Sequence, residues 1–161
     1  YRCLSLDYSC AIDFDNYDFR SVLHLYLYLK FKNNDKIRKN LLELTEKKEI
    51  SDYAKKIIEE EEEIEDYDLG NDMFNMSLAV KARVYQSEAI KSILLESKKK
   101  DLLYIVQHFV INSSLWTYKK MENDMVADPI ETEESNNGQN LYGKVLKMIR
   151  HMVRQSYNLN K

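Results

Sequence analysis

The sequence predicts a mostly α-helical protein with one short β-hairpin near its N-terminus. The chain has 161 residues but only 3 Gly and 1 Pro, too few turn formers for an all-β sandwich or barrel. Several segments place apolar residues at intervals of three and four, the spacing that buries one face of a helix. With 44% hydrophobic residues in a domain-sized chain, we expect residues 1–161 to form a single domain.

The hairpin is predicted where polarity alternates on both sides of Asp15 and Asn16. Residues 11–14 read AIDF, and residues 17–20 read YDFR. Asp and Asn tolerate the positive φ that a two-residue hairpin turn requires. We therefore expect two short antiparallel strands that are joined at these two residues.

Helices are predicted along the rest of the chain, the first of them capped by the Ser21 hydroxyl. In chain order they cover 22–32, 35–48, a third helix capped by Ser51 or Asp52, 71–97 as the longest, 101–111 and 140–157. The last helix has a clean apolar face formed by Tyr142, Val145, Leu146, Ile149, Met152 and Val153.

Two polar segments interrupt this pattern. Residues 117–137 are polar and include Pro129, which predicts a loop of about 20 residues, a length often associated with lids or binding loops. Residues 59–63 are five consecutive Glu. We interpret them as a solvated face rather than a calcium site, because adjacent carboxylates on a helix point around its axis and do not converge.

Composition narrows the function classes. The formal net charge is −3, so no global basic field favours nucleic acid, and no apolar run reaches the roughly 18 residues of a membrane span. We interpret Cys3 and Cys10 as reduced thiols of an intracellular, reducing compartment, the cytoplasm by default. An organelle is the alternative, because a chain that begins at Tyr1 is expected to be a processed product or a fragment.

No strong catalytic or metal motif stands out by spacing. GxGxxG, GxxxxGK[ST], GxSxG and HExxH are absent, so no cofactor is predicted. His24, His108 and His151 are solitary in sequence, and a zinc site is not supported. A lone histidine on an apolar helix, such as His108, is interpreted as a core residue.

A resemblance to a known family gives more specific expectations about fold and function than the spacing of single motifs. Residues 4–31, LSLDYSCAIDFDNYDFRSVLHLYLYLKF, resemble the opening of the NADAR (YbiA-like) family, roughly LSNFYPCPFxIDGxxYPSVEHxYQAxKF, without a gap. Residues 76–97 resemble a family helix, with Arg83 at a family Lys and Ser97 at a family Thr. Residues 112–117, NSSLWT, resemble NDRYWG, and 138–150 resemble GxNxLGxxLMxxR. Relative to the family, 118–137 would be a loop insertion.

The resemblance implies a mostly helical YbiA-like fold and cleavage of an N-glycosidic bond. Family substrates are phosphoribosylated riboflavin-pathway intermediates or ADP-ribose-linked guanine. Such a reaction protonates the leaving base and stabilises an oxocarbenium-like sugar with a carboxylate. The resemblance also implies a ribose-phosphate or ADP-ribose-type ligand held by Lys30, Trp116, Asn140 and Arg150.

The chain differs from the family pattern at two positions where the family has an acidic residue. Leu23 stands at the family Glu and Ser113 at the family Asp, and general acid–base catalysis supplies roughly 10²–10⁴-fold in rate. The leading hypothesis is therefore a diverged domain that has lost hydrolase activity and works as a binding or structural module, inside a larger assembly with a protein partner.

Two alternatives stay open. The first is an active N-glycosidase that uses Asp7, or a carboxylate of the 118–137 segment, as replacement; the segment's candidates are Glu122, Asp124, Asp128 and Glu131. The second is a helical interaction protein that is unrelated to the family, with the acidic run as a partner contact.

Overall fold

A computed structural model of the chain describes residues 2–61, 69–97 and 141–159. Within these residues it contains one two-stranded antiparallel sheet and six α-helices. The strands are β1 (Ile12–Phe14) and β2 (Tyr17–Phe19); the helices are α1 (Val22–Lys30), α2 (Asp35–Glu43), α3 (Lys47–Glu61), α4 (Leu69–Gln86), α5 (Glu88–Glu96) and α6 (Leu141–Leu159). A single 3₁₀ turn, Arg2–Leu4, precedes β1. The predicted fold class is confirmed.

The hairpin forms at the predicted position. Ile12 pairs with Phe19 and Phe14 pairs with Tyr17. Asp15 and Asn16 have φ values of 52° and 64°, the left-handed pair that lets a two-residue turn follow the strand twist.

Helix α1 lies at the centre of the described core. The Ser21 hydroxyl accepts the His24 N–H at 3.2 Å, as predicted for an N-cap, and the helix ends at Lys30 rather than at residue 32. Every residue from 22 to 28 is buried. A helix that is apolar all round must be covered on all sides, and α1 packs against the hairpin, α2 and α4.

The boundaries predicted for the second and third helices are wrong. Helix α2 ends at Glu43 instead of residue 48, because Leu44 turns extended at ψ 128°. Helix α3 already begins at Lys47, so Ser51 and Asp52 lie inside it and cap nothing. The Glu49 carboxylate accepts the Glu46 N–H at 3.2 Å, a hydrogen bond that stabilises the start of α3.

The predicted single helix over 71–97 is two helices. Helix α4 begins at Leu69, and the break falls at Ser87, whose hydroxyl accepts the Ile90 N–H at 3.3 Å and starts α5. Serine hydroxyls compete with the helical ladder in this way, which explains a break without Gly or Pro. Since α4 has 18 residues and α6 has 19, α4 is also not the longest helix of the described chain.

The apolar face predicted for the last helix, α6, is confirmed. Five of its six predicted core positions are buried, and Met152 is partly buried against the same core. This face packs against α4 and α5. The predicted helix 101–111, with His108, and the predicted loop and insertion lie outside the described residues.

Candidate functional site

Leu23, at the family Glu, lies on a shallow cleft beside the N-terminus of α1. The residue is 2% exposed, and its N–H donates to the Leu6 carbonyl at 3.0 Å. The cleft is shallow and opens to solvent. Its lining residues are Asp7, Ser9, Arg20, Ser21, Leu23, Lys47, Ile50 and Ser51. The leucine therefore puts hydrocarbon where the resemblance would place an acid.

Asp7, the replacement carboxylate considered from the sequence, lies on this same cleft. It forms an ion pair with Lys47 at 2.7 Å and accepts a hydrogen bond from the Ser5 hydroxyl. Partial burial opposes its ionisation, but the bonds from Lys47 and Ser5 outweigh this, so the pKa of Asp7 is lowered from its ordinary value. Asp7 is thus an ionised carboxylate near neutral pH and is unsuited to donating a proton.

The other polar groups of the cleft are mostly hydrogen-bond donors. Arg20 follows β2, and among the residues that the structure describes its guanidinium has no carboxylate partner. Lys47 and Ser51 come from the first turns of α3, whose N-terminus carries partial positive charge. Ser21 is 5% exposed, and its oxygen accepts the His24 N–H while the hydroxyl keeps a hydrogen to donate.

His24 is hydrogen-bonded to Arg20 and Ser21, two residues that line the cleft. Its Nε2 lies 2.8 Å from the Leu41 carbonyl, and its Nδ1 accepts the Arg20 N–H at 3.2 Å. A carbonyl can only accept and a backbone N–H can only donate, so the ring is neutral with its hydrogen on Nε2. Burial, followed by the charge of Arg20, lowers the pKa of His24 despite the bond to Leu41. His24 is a satisfied core histidine.

Lys30, expected to hold ligand, lies at the end of α1 in a buried ion pair. Its ammonium contacts both oxygens of the Asp72 carboxylate, at 2.9 and 3.1 Å. The two side chains are only 10% and 6% exposed. Asp72 lies in the first turn of α4, and no local sequence signal pairs residues that are 42 positions apart.

Arg150, the second ligand candidate, joins α6 to the end of α5. It is 8% exposed, and its guanidinium donates to the Ser97 hydroxyl at 2.6 Å, which in turn donates to the Leu94 carbonyl. Lys30 therefore contacts the start of α4, whereas Arg150 contacts the end of α5. The other two ligand candidates, Trp116 and Asn140, and Ser113 at the family Asp, lie outside the described residues.

Arg83, at a family Lys, is the most deeply placed charge of the described chain. It is 1% exposed and donates to the carbonyls of Leu4 and Ser5, at 3.1 and 2.8 Å, and to the Tyr142 hydroxyl at 3.1 Å. The Tyr142 hydroxyl donates in turn to the Leu4 carbonyl at 2.7 Å. Burial raises the pKa of Cys10 although the neighbouring Arg83 opposes that rise. Arg83 thus ties the N-terminal turn to α4 and α6.

The described residues were also searched for metal-ligand groups and for membrane-spanning helices. Residues 2–61, 69–97 and 141–159 contain no group of three His, Cys, Asp or Glu side chains placed to hold a metal ion. None of the helices in these ranges is long and apolar enough to cross a membrane. Cys3 and Cys10 are both free thiols.

This architecture, a helical core with an N-terminal hairpin, is similar to the fold of YbiA. The chain is similar to the NMR structure of the E. coli protein YbiA, with a TM-score of 0.66 and 14% identity over 96% of this chain and 79% of that chain. No protein-family model and no curated protein matches the sequence. The fold implied by the resemblance is confirmed, and membership of the family stays a prediction, since identity this low shows the fold alone.

Proposed function

We propose that this chain is a diverged NADAR-like domain that lacks hydrolase activity and acts as a binding or structural module. The observation that carries the proposal is Leu23, which occupies the cleft beside the N-terminus of α1 at the family Glu. A leucine side chain can neither transfer a proton nor stabilise a sugar cation.

The contacts of Asp7 and Lys30 support the same interpretation. Lys47 and Ser5 hold the Asp7 carboxylate in its ionised form, so it is a poor general acid. Asp72 holds the ammonium of Lys30 in a buried pair, which gives Lys30 a structural partner. Both arrangements stabilise the fold without requiring a reaction.

A base-release assay tests this proposal. Purified protein is incubated with ADP-ribose-linked guanine and, separately, with a phosphoribosylated riboflavin-pathway intermediate, and free base is measured by chromatography. We expect no release above buffer, together with a ligand-dependent rise in Tm if the module binds ADP-ribose or ribose 5-phosphate. Release of free base in proportion to protein concentration would overturn the proposal.

One observation favours an active N-glycosidase as the second candidate. Asp7 brings an ionised carboxylate to the same cleft as Leu23, where it could stabilise an oxocarbenium-like sugar. The variant Asp7→Asn separates the candidates. An enzyme that relies on Asp7 should lose base release by about 100-fold or more, whereas Glu88→Gln, a surface carboxylate of α5 paired with Lys91, should leave it unchanged.

A further inference from the structure

Helix α4 carries an exposed stripe on the side that faces away from the core. Since each residue turns a helix by about 100°, positions four, seven and eleven residues after Phe74 fall on the same side. These positions are Leu78, Lys81 and Tyr85. Phe74 is 65% exposed and Tyr85 is 41% exposed, whereas Arg83, on the opposite side, is 1% exposed. Exposed apolar and aromatic side chains that line up in this way are typical of protein–protein interfaces.

The C-terminal end of this stripe is positively charged. The ammonium groups of Lys81 and Lys91 each lie 5.8 Å from the centre of the Tyr85 ring. Lys91 also pairs with Glu88 of α5, and the Tyr157 hydroxyl of α6 lies 3.5 Å from that carboxylate. Helices α4, α5 and α6 together contain seven Lys and Arg but only three Asp and Glu. A partner that binds here is therefore expected to bring negative charge.

The opposite end of the stripe adjoins the acidic run of this chain. Residues 59–68, directly before α4, contain eight Asp and Glu and no Lys or Arg. Asp66 is separated from Leu69 by at most about 11 Å of extended chain, whereas Tyr85 lies about 24 Å along the helix from Leu69. Helix α4 therefore holds the two charged ends of one copy apart, and their opposite charges are free to meet between two copies.

We propose that this face of α4 is an interface between two copies of the chain, which pack antiparallel about a two-fold axis. Phe74 of one copy then lies against Tyr85 of the other, and the acidic run of each copy lies toward Lys81 and Lys91 of the other copy. This arrangement forms both charge contacts at once, and two-fold dimers are the commonest soluble oligomers. The inference goes beyond the proposed function, because it concerns assembly rather than base release.

Sedimentation equilibrium of the unaltered chain tests the interface. We expect a reversible monomer–dimer equilibrium. Its dissociation constant should rise by about tenfold or more between about 0.05 M and about 0.5 M salt, because salt screens the charge contacts. Phe74→Ser should weaken dimerisation by about tenfold or more, because aromatic anchors carry much of the binding energy of an interface.

A matched pair of charge reversals tests the positive end of the stripe. Lys81→Glu should weaken dimerisation by about tenfold or more, because it places like charges together in both halves of the dimer. Lys39→Glu, at an exposed position of α2, makes the same change in net charge. It should leave the dissociation constant within about twofold of the original value.

A charge-swap experiment identifies the acidic run as the occupant. The variant with a reversed run carries five substitutions, E62K, E63K, E65K, D66K and D68K. Alone, it should dimerise as poorly as Lys81→Glu. A mixture of these two variants should form heterodimers of about the original affinity, because both contacts then join opposite charges again. Circular dichroism of each variant confirms that it folds.

Three results would overturn the interface. The first is an unaltered chain that stays monomeric up to submillimolar concentration, or that associates beyond the dimer. The second is dimerisation that survives both Phe74→Ser and Lys81→Glu, which would assign the dimer to another surface. The third is a mixture that stays monomeric, which would assign this face of α4 to a different partner. Base release by an intact dimer would refute only the absence of hydrolysis, so the two proposals fail separately.

Discussion

Arg83 and the Asp7–Lys47 pair show two ways in which this chain places charge around its N-terminal segment. Arg83 is 1% exposed and donates to two carbonyl oxygens and a hydroxyl, whereas Asp7 and Lys47 neutralise each other at a solvent-open cleft. A buried cation with fixed partners is costly to disturb, and a solvated ion pair is cheap to exchange. The first arrangement therefore contributes more to the stability of the fold than the second.

The buried Lys30–Asp72 ion pair tests how much free energy of unfolding is lost when one charge is left buried without its partner. Lys30→Met should lower the free energy of unfolding by about 3–5 kcal/mol, since it leaves an unpaired carboxylate in the interior. Urea denaturation followed by circular dichroism measures this loss. The double variant Lys30→Met with Asp72→Leu should recover much of it, and a double variant as unstable as the single one would count against burial of the lone charge as the cause.

Arg83→Met should destabilise the protein by about 3 kcal/mol. Hydrogen bonds to charged groups contribute about 1.5–3 kcal/mol each, and part of this loss is offset because a cation no longer has to be buried. Lys81→Met, an exposed position of the same helix, should change stability by no more than about 0.5 kcal/mol. Equal effects of the two substitutions in urea denaturation would show that the contacts of Arg83 do not anchor the N-terminal turn.

His24, whose ring is hydrogen-bonded to Arg20 and Leu41, makes stability depend on pH. The pKa of His24 is lowered in the folded state, so below about pH 6.5 the unfolded chain binds a proton that the native ring refuses. Stability contributed by the neutral ring is present above that pH and is lost as the pH falls toward the folded pKa. The slope for one group is at most about 1.4 kcal/mol per pH unit.

Urea denaturation between pH 5 and pH 8 measures this slope. His24→Gln should flatten it below pH 6.5, while His151→Gln, at an exposed position of α6, should retain it. A slope that survives His24→Gln would assign the pH dependence to another group.

Asp7→Asn should have the smallest effect on stability, within about 1 kcal/mol, because the pair that it breaks is half exposed. A loss of 3 kcal/mol or more in thermal or urea unfolding would place Asp7 with Arg83 as a structural anchor.

Local chemistry explains what the sequence could predict of the fold. The hairpin at Asp15 and Asn16 and the Ser21 cap depend on residues within a few positions of each other, and both predictions were confirmed. The break at Ser87 was missed because no Gly or Pro marks it and a serine also occurs inside helices. The start of α3 was missed because Ser51 and Asp52 imitate caps in a segment where Glu49 supplies the bond.

The candidate site was less predictable because its contacts span the chain. Leu23 came from the resemblance, which aligned it with a family acid, and Asp7 came from its closeness to that motif. Lys47 had no signal, since it is one of many lysines and meets Asp7 across 40 positions. Arg20 lies beside a predicted N-cap, but only the folded hairpin brings it to the cleft.

The contacts of Arg83 and Tyr142 have a consequence for the order of folding. The Leu4 carbonyl accepts hydrogen bonds from Arg83, 79 residues later, and from Tyr142, 138 residues later. During synthesis the N-terminal turn is made first but can complete its contacts only after α6 has emerged. Long-range closure of this kind slows folding, so we expect the first residues to be protected last. Pulsed hydrogen exchange, in which the amides near Leu4 gain protection after those of α1, would verify that order.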